Sequence, residues 1–328
     1  MPTVVVSRES TGSTHVRMLE ESGFELRMVE DDRFSRGLTG DEHVVEVLRG
    51  ASAVIAHGEV YSAAVLQSLP ELRVVARSGV GFDRVDIAAA TANYVVVTIT
   101  PTANHEAVAE HALALIMGLA KFLVSGDRST RGGEWKREQR RPLRGSTLGI
   151  VGLGRIGRSL AVRAHGLKMQ VIAAELYPDE AFVKKHGIEL VDLDTLLERA
   201  DFVSIHLPLA DETRGIIDGE KLGLMKPSAF IVNTARGGLI VEADLDAALG
   251  SGQIAGAGMD VFEEEPTDSM NPLFELDNVI VSPHVAGIDD VASEDMAIEA
   301  AQSIIDLSQG RWPEGAVVNA DLKGDWRW

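Results

Sequence analysis

Short apolar runs rich in valine, isoleucine and alanine alternate along the chain with amphipathic stretches of helical spacing. The runs predict buried strands, and the stretches between them predict helices. In the first hundred residues the predicted strands are Thr3–Val6, Phe24–Val29, Ala53–Ala56, Arg73–Ala76 and Val95–Thr98, and the predicted helices are His15–Ser22, Glu42–Arg49, Ser62–Ser68 and Val85–Ala92. This alternation is typical of a parallel sheet with helices on both faces.

The alternation stops near residue 100 and begins again near residue 147. In between, Asn104–Gly126 predicts one long helix, and an arginine-rich stretch runs from Arg128 to Arg144. That stretch is either a solvated excursion or an arm that contacts a second subunit. The second block has the predicted strands Leu148–Val151, Val171–Ala174, Phe202–Ile205, Phe230–Asn233, Gly256–Asp260 and Val279–Ser282, and the predicted helices Ile156–His165, Leu193–Arg199, Asp244–Ser251 and Val291–Gln309. We therefore predict an α/β fold with two doubly wound parallel-sheet domains.

Length and charge agree with this organisation. The 328 residues suffice for two domains of ~100–200 residues each. The 31 basic and 50 acidic residues leave a net charge of −19, which disfavours nucleic acid and anionic membrane surfaces as partners. The chain has no cysteine, which excludes disulfides, thiolate nucleophiles and cysteine-based metal sites. The apolar run at the N-terminus is too short for a signal peptide, so we expect a cytoplasmic protein.

The second block opens with a glycine pattern suited to a dinucleotide. The sequence Gly152-Leu-Gly154-Arg-Ile-Gly157 follows a predicted strand and starts a predicted helix. The first glycine permits a tight turn, the second lets the backbone approach a pyrophosphate, and the third lets helix and strand pack closely. Glu175 ends the next strand, where a carboxylate bonds ribose hydroxyls and repels a 2′-phosphate. The pattern predicts NAD as cofactor; the competing interpretation is a glycine turn with a surface glutamate.

Three polar residues at or just after predicted strands of the same block are candidates for catalysis: Arg236, Glu265 and His284. The carboxyl ends of parallel strands are where open α/β sheets bind ligands. Arginine matches a carboxylate bidentately, histidine transfers protons near neutral pH, and a neighbouring glutamate stabilises imidazolium. Taken singly, each of the three could instead have a structural role.

The other histidines are weaker candidates. His105 and His111 lie six residues apart, about 240° around a helix, whereas a zinc-binding helix places its histidines four residues apart on one face. We therefore predict no metal site there, nor elsewhere in the chain. His57 and His206 follow predicted strands, and we expect structural roles for both.

Together these residues resemble the D-isomer-specific 2-hydroxyacid dehydrogenase family, near its phosphoglycerate dehydrogenases and its hydroxypyruvate or glyoxylate reductases. Seven blocks carry the resemblance and cover most of the chain from residue 73 to 287. They are ARSGVGFDRVD (76–86), TPTANHEAVAEH (100–111), LGIVGLGRIGRSLA (148–161), HLPLADETRGII (206–217), KPSAFIVNTARGGLI (226–240), GAGMDVFEEEP (256–266) and NVIVSPHVAG (278–287).

The resemblance implies a Rossmann NAD-binding domain, residues 104–287, inserted in a flavodoxin-like substrate domain, residues 1–103 plus 288–328. It implies an NAD-dependent dehydrogenase that transfers hydride between NAD(H) and a small 2-hydroxy or 2-oxo acid, with Arg236, Glu265 and His284 as its catalytic set. Family members are usually dimers joined through the region around Arg128–Arg144, so we expect a homodimer.

The resemblance also implies the remaining contacts. The cofactor contacts are Gly152, Gly154, Arg155, Ile156, Gly157, Glu175, Leu207, Pro208, Thr213, Thr234, Ala235, Asp260 and Gly287. Asp260 would face the nicotinamide amide. The substrate contacts are Arg77, Ser78, Gly79, Val80, Gly81 and Asn104, with backbone amides of residues 78–81 holding the substrate carboxylate.

The sequence departs from the family pattern at two places. The ribose acid is Glu175 where the family usually has aspartate. Phosphoglycerate dehydrogenases commonly carry Val-Arg-Ser-x-Thr after the third strand, whereas this chain has Ala56-His57-Gly58-Glu59, so a phosphorylated substrate stays open. Two alternatives to a hydroxyacid dehydrogenase also stay open: an NAD-sensing binding protein like the transcriptional corepressors of this fold, and oxidation of an unusual donor such as phosphite.

Overall fold

The computed structural model describes residues 1–8, 12–135, 137 and 139–328. The chain forms two compact units. Unit 1 consists of Met1–Asn104 and Ile288–Trp328, and unit 2 consists of His105–Gly287. The chain thus leaves unit 1, completes unit 2 and returns to unit 1.

Unit 1 is built on a parallel sheet with the strand order β2-β1-β3-β4-β5. Its first elements are β1 (Thr3–Val6), α1 (Thr14–Glu21), β2 (Glu25–Met28), α2 (Asp32–Ser35), α3 (Asp41–Leu48), β3 (Ala53–Ala56), α4 (Ala63–Gln67), β4 (Val74–Arg77), α5 (Ile87–Ala92) and β5 (Val96–Thr98). This strand order is the flavodoxin-like form of a doubly wound sheet.

Unit 2 is built on a larger parallel sheet with the order β12-β11-β10-β9-β6-β7-β8. Its elements are α6 (His105–Lys121), α7 (Leu123–Arg131), β6 (Thr147–Val151), α8 (Arg155–Gly166), β7 (Gln170–Ala174), α9 (Glu180–His186), β8 (Glu189–Leu190), α10 (Leu193–Arg199), β9 (Phe202–Ile205), α11 (Gly219–Leu224), β10 (Phe230–Asn233), α12 (Glu242–Gly250), β11 (Gly256–Met259) and β12 (Val279–Val281). The strand order reverses between β6 and β9, which is the Rossmann arrangement. The prediction of two doubly wound parallel sheets is confirmed.

The return segment completes the core of unit 1. Its helix α13 (Asp290–Ser308) packs against α1, with Ala300 and Ile304 buried beside Val4 and Val6 of β1. Val5 points to the other face, where α3, α4 and α5 cover it. Alternate strand residues thus fill opposite layers, because successive side chains of a strand point to opposite faces.

The prediction of a single helix over Asn104–Gly126 is wrong, because the helix is interrupted at Phe122. This residue has a left-handed φ of 49°, which ends α6 and starts α7. The ring of Phe122 packs against the unit 2 core and lies 4.9 Å below the Arg140 guanidinium. The predicted arginine-rich arm begins within α7, and its residues 136 and 138 lie outside the described residues.

Among the described helices, none is by itself long and apolar enough to cross a membrane; α6 and α7 pass that test only as a pair, bent by 55°.

Candidate active site

Unit 2 turns sharply where β6 meets α8. Gly152 has a φ of 95°, and a Cβ there would lie 2.8 Å from the carbonyl oxygen of His206. A Cβ on Gly157 would lie 2.3 Å from the carbonyl oxygen of Gly152, so both positions require glycine. A Cβ on Gly154 would meet open space within the described chain. The N-terminus of α8, which begins with Arg155 and Ile156, brings free N–H groups and a positive dipole end to this turn, as phosphates require.

Glu175 follows β7 and reaches back to the same turn. Its carboxylate accepts hydrogen bonds from the backbone N–H of Leu153 at 2.7 Å and of Tyr177 at 2.9 Å. These bonds hold a negative charge beside the glycine turn, where it would repel a 2′-phosphate. After β10, Thr234 Oγ1 is buried and has no hydrogen-bond partner in the described part of the chain. The glycine turn, the Glu175 carboxylate and the unpaired Thr234 hydroxyl together fit an NAD cofactor.

The other predicted cofactor residues lie on loops after neighbouring strands. Leu207, Pro208 and Thr213 lie on the loop that follows β9, where the Thr213 hydroxyl donates to the Pro208 carbonyl oxygen at 2.7 Å. Ala235 follows β10, and its backbone N–H donates to Asn233 Oδ1 at 3.0 Å. Gly287 is the last residue of unit 2.

The structure brings His284 and Glu265 into direct contact, and Arg236 acts electrostatically on Glu265. His284 Nδ1 lies 2.6 Å from Glu265 Oε2. Glu265 Oε1 accepts the backbone N–H of Phe262 at 3.0 Å, which fixes the carboxylate. The Arg236 backbone is held by Asn233 Nδ2, which donates to its carbonyl oxygen at 2.8 Å. The side chain of His284 is 47% exposed and that of Glu265 is 25% exposed.

Electrostatics within this group keep the Glu265 carboxylate ionised. Burial alone would raise the pKa of Glu265, but the hydrogen bond and charge of His284, with a further contribution from Arg236, lower that pKa below its usual value. A carboxylate that stays ionised accepts the Nδ1 proton of His284. The Nε2 atom of the ring is then the one available for proton exchange with a ligand.

Asp260 follows β11 and is fully buried. Its carboxylate oxygens accept hydrogen bonds from Ser282, Val285 and Ala286, the residues on either side of His284. From the sequence, Asp260 was expected only as a cofactor contact, and Ser282 was not a candidate. A hydroxyl residue directly before Pro283 and His284 was the available signal.

His206, expected to be structural, lies after β9 with its Nε2 atom 2.9 Å from Ser204 Oγ. Burial lowers the pKa of His206 to about 3, so the ring is neutral near neutral pH. His105 and His111 both lie on α6. His111 Nε2 contacts Ser282 Oγ at 2.9 Å, which sequence spacing gave no means to foresee.

In unit 1, the predicted substrate residues form the loop after β4. The N–H of Ser78 donates to the Ala56 carbonyl oxygen at 2.8 Å, and the N–H of Gly79 donates to Thr100 Oγ1 at 2.9 Å. Because these two N–H groups already donate hydrogen bonds within unit 1, only the backbone N–H groups of Val80 and Gly81 are left from the predicted set to bind a substrate carboxylate. Arg77 Nε donates to the Gly81 carbonyl oxygen at 3.1 Å, which fixes this loop.

Asn104, the other predicted substrate residue, is the last residue of the first segment of unit 1. Its Oδ1 atom is buried, and no hydrogen-bond partner for it lies in the described residues.

The loop after β3 carries a buried polar cluster. His57 Nδ1 lies 2.9 Å from Ser7 Oγ, and the backbone N–H of His57 donates to Glu59 Oε2 at 2.6 Å. Burial, with the charges of Arg77 and Arg8 adding to it, lowers the pKa of His57 to about 3. Burial raises the pKa of Glu59, and the bonds to its carboxylate and the charge of Arg77 only partly oppose this.

Comparison with known proteins identifies the family. Residues 113–286 match the model of the D-isomer specific 2-hydroxyacid dehydrogenase, NAD binding domain. The chain is 37% identical to a glyoxylate reductase of Korarchaeum cryptofilum, with 96% of each chain covered. It is 40% identical to a D-3-phosphoglycerate dehydrogenase of Mycobacterium tuberculosis over 93% of its own length, but it spans only 56% of that relative.

Solved structures agree with the sequence matches. A protein of Thermus thermophilus superposes with a TM-score of 0.86 at 32% identity, covering 96% of this chain and 99% of the other. The chain belongs to the D-isomer specific 2-hydroxyacid dehydrogenase family, and NAD is the cofactor of its matched domain.

Proposed function

We propose that this protein is an NAD-dependent 2-hydroxyacid dehydrogenase that interconverts a small 2-oxo acid and the corresponding D-2-hydroxy acid. The hydrogen-bonded pair of His284 and Glu265, with Arg236 close enough to lower the pKa of Glu265, carries the proposal. All three residues lie at or beyond the carboxyl ends of β10, β11 and β12, the edge that also carries the glycine turn after β6. Family membership and the D configuration that the family description names support it.

The residues divide the chemistry between them. Bound NADH supplies the hydride for the C2 carbon of the oxo acid. Arg236 binds the substrate carboxylate with its planar guanidinium and draws electron density from the carbonyl. His284 donates its Nε2 proton to the oxygen that becomes the hydroxyl, and in the reverse direction it accepts that proton. Glu265 orients the ring and stabilises the imidazolium form.

We propose that unit 1 binds the substrate and favours an acid without a phosphate. The loop after β3 offers the buried carboxylate of Glu59, and His57 beside it is neutral because its pKa is lowered to about 3. A fully buried glutamate and a neutral histidine give a phosphate no positive partner on this loop. Glyoxylate and hydroxypyruvate are therefore better candidates than a phosphorylated acid.

We propose that the protein is a homodimer. We also propose that it works in the cytoplasm. Large apolar side chains are exposed in and after α7, with Leu123 at 59%, Val124 at 44% and Trp135 at 84%. Exposed apolar side chains gathered in one segment are typical of a protein contact. Light scattering should give about twice the chain mass of 35.2 kDa; the mass of a single chain would contradict the dimer.

The loss of NADH absorbance tests the activity against a panel of glyoxylate, hydroxypyruvate, pyruvate, phenylpyruvate and 3-phosphohydroxypyruvate. We expect turnover of glyoxylate or hydroxypyruvate, with kcat/KM for the phosphorylated acid lower by about 100-fold because the loop after β3 offers a phosphate no cation. A preference for the phosphorylated acid would contradict the substrate class. Tight NADH binding without turnover of any acid would contradict the dehydrogenase and favour the binding protein.

A further inference from the structure

The loop that carries His284 needs to be held in an unusual backbone conformation. His284 has a left-handed φ of 55°, which a residue other than glycine adopts only rarely. Its backbone N–H donates to the carbonyl oxygen of Asp260 at 2.7 Å. Because the ring is nearly half exposed, packing alone does not fix it. Glu265 orients the ring itself, and hydrogen bonds to the loop on either side of His284 fix the backbone from which the imidazole projects.

The Asp260 carboxylate supplies those bonds. Its Oδ1 atom accepts the Ser282 hydroxyl at 2.5 Å and the Val285 N–H at 3.0 Å. Its Oδ2 atom accepts the Ala286 N–H at 2.8 Å. One fully buried carboxylate thus binds the loop on both sides of His284. Charge-assisted bonds of this kind are stronger than neutral ones, so they suit a fixed position.

A histidine from another element completes the network. His111 Nε2 lies 2.9 Å from Ser282 Oγ and 3.6 Å from Asp260 Oδ1. Because the single hydroxyl proton of Ser282 is donated to Asp260, Ser282 can only accept from His111. His111 must therefore carry a proton on Nε2. Its helix is anchored by neighbours such as Ala112 and Ile116, which are buried in the unit 2 core.

We propose that Ser282 and His111 are positioning residues for His284, acting through Asp260. His111 would donate to Ser282, Ser282 to Asp260, and Asp260 would hold the N–H groups that flank His284. The inference rests on the proposed function only in giving His284 the acid–base role. His111, one of the two histidines of α6 whose spacing argued against zinc, thereby gains a role. Among the described residues, no group of side chains could hold a metal ion instead.

Matched variants separate hydrogen bonding from packing. Ser282→Ala and His111→Leu remove the donors, whereas Ser282→Thr keeps a hydroxyl and His111→Gln keeps an N–H at the Nε2 position. Glu110→Gln is the control, because Glu110 neighbours His111 on α6 but pairs with Arg163 at 2.9 Å instead. Thermal unfolding and NADH affinity show for each variant whether unit 2 is folded.

Steady-state kinetics are the first test of the proposal. With the best substrate of the panel, Ser282→Ala and His111→Leu should lower kcat by about tenfold or more, because a displaced imidazole misses its reacting atom. Ser282→Thr, His111→Gln and Glu110→Gln should stay within about threefold of the starting protein. The NADH dissociation constant should change by less than about threefold throughout.

Nuclear magnetic resonance of ¹⁵N-histidine-labelled protein without substrate gives an answer independent of turnover. The Nδ1 proton of His284, assigned by its absence in His284→Asn, should give a low-field signal that broadens or shifts in the two donor-removing variants and stays in the two conservative ones. An unchanged signal in folded Ser282→Ala would overturn the positioning role. If the starting protein turned over no oxo acid, the proposed function would fail, while this signal would still decide the network.

Discussion

Each unit carries a histidine beyond the carboxyl end of a parallel strand, yet the two histidines are in opposite environments. In unit 1, His57 is buried, and with Arg77 and Arg8 nearby its pKa falls to about 3. In unit 2, His284 is half exposed and has the Glu265 carboxylate 2.6 Å from its Nδ1 atom. The strand edge only places a histidine; burial and the charge of its neighbours decide whether it exchanges protons near neutral pH.

The same contrast holds for the two acidic residues. Burial raises the pKa of Glu59, so in unit 1 the carboxylate is poorly stabilised. In unit 2 the hydrogen bond and charge of His284 overcome the effect of burial and lower the pKa of Glu265. A carboxylate that remains charged can support an imidazolium, whereas burial makes the charged form of Glu59 less favourable. The proposed chemistry therefore belongs to unit 2.

The largest effect short of removing His284 is expected for Arg236→Lys. Lysine keeps the positive charge but loses the planar fork that binds a carboxylate bidentately, so kcat/KM should fall by about 100-fold. NADH affinity should stay the same, because Arg236 is proposed to bind substrate. Steady-state kinetics measure the change. The control is Arg199→Lys, which alters another arginine–carboxylate pair of unit 2, with Glu189, and should have no kinetic effect. Equal effects of the two variants would contradict the assignment.

A smaller effect is expected for Glu265→Gln. The amide can accept the Nδ1 proton but carries no charge, so kcat should fall by about tenfold to 100-fold. Reduction requires a protonated His284, and the imidazolium loses its ionic partner in this variant. The alkaline limb of the kcat profile should therefore move to lower pH. Glu264→Gln, at the exposed neighbouring position, is the control. A lower kcat with an unmoved limb would leave Glu265 without its electrostatic role.

The smallest effect concerns stability in unit 1. Because the pKa of His57 is about 3 in the folded state and 6.5 in the unfolded chain, only the unfolded chain binds its proton between these values. The contribution of His57 to the free energy of unfolding is therefore fully present above pH 6.5, and it is lost as the pH falls toward 3.

Chemical denaturation of His57→Asn measures this contribution. The free energy of unfolding of the starting protein should fall by about 1.4 kcal/mol more per pH unit than that of the variant, between about pH 6 and pH 4. Parallel slopes for the two proteins would show that His57 is not held neutral by folding.

The sequence predicted the strands well, for a physical reason. Buried parallel strands are continuous apolar runs, so stretches such as Phe202–Ile205 and Phe230–Asn233 are visible without a structure. The ends of those strands then indicate where ligand-binding side chains lie. Short elements such as α9 and α11 were missed, because α9 buries none of its residues and α11 only Leu222, so neither shows an apolar stripe.

Contacts between residues far apart in the chain could not be predicted from the sequence. The break at Phe122 depends on how its ring packs against the unit 2 core, and the predicted helix therefore ran through it. The network of His111, Ser282 and Asp260 joins three elements that only the folded sheet brings together. Nothing in the sequence indicated that Glu59, on the loop after β3, is fully buried.

The comparison of His284→Asn with His57→Asn tests the central claim most directly. Asparagine tolerates the left-handed backbone of His284 but cannot exchange a proton near neutral pH, so the same substitution serves both positions. At saturating 2-oxo acid and NADH, we expect His284→Asn to lower kcat by about 1000-fold with NADH affinity intact. His57→Asn should keep kcat within about threefold. An unchanged kcat for His284→Asn, or an equal loss for folded His57→Asn, would contradict the assignment of the acid–base chemistry to unit 2.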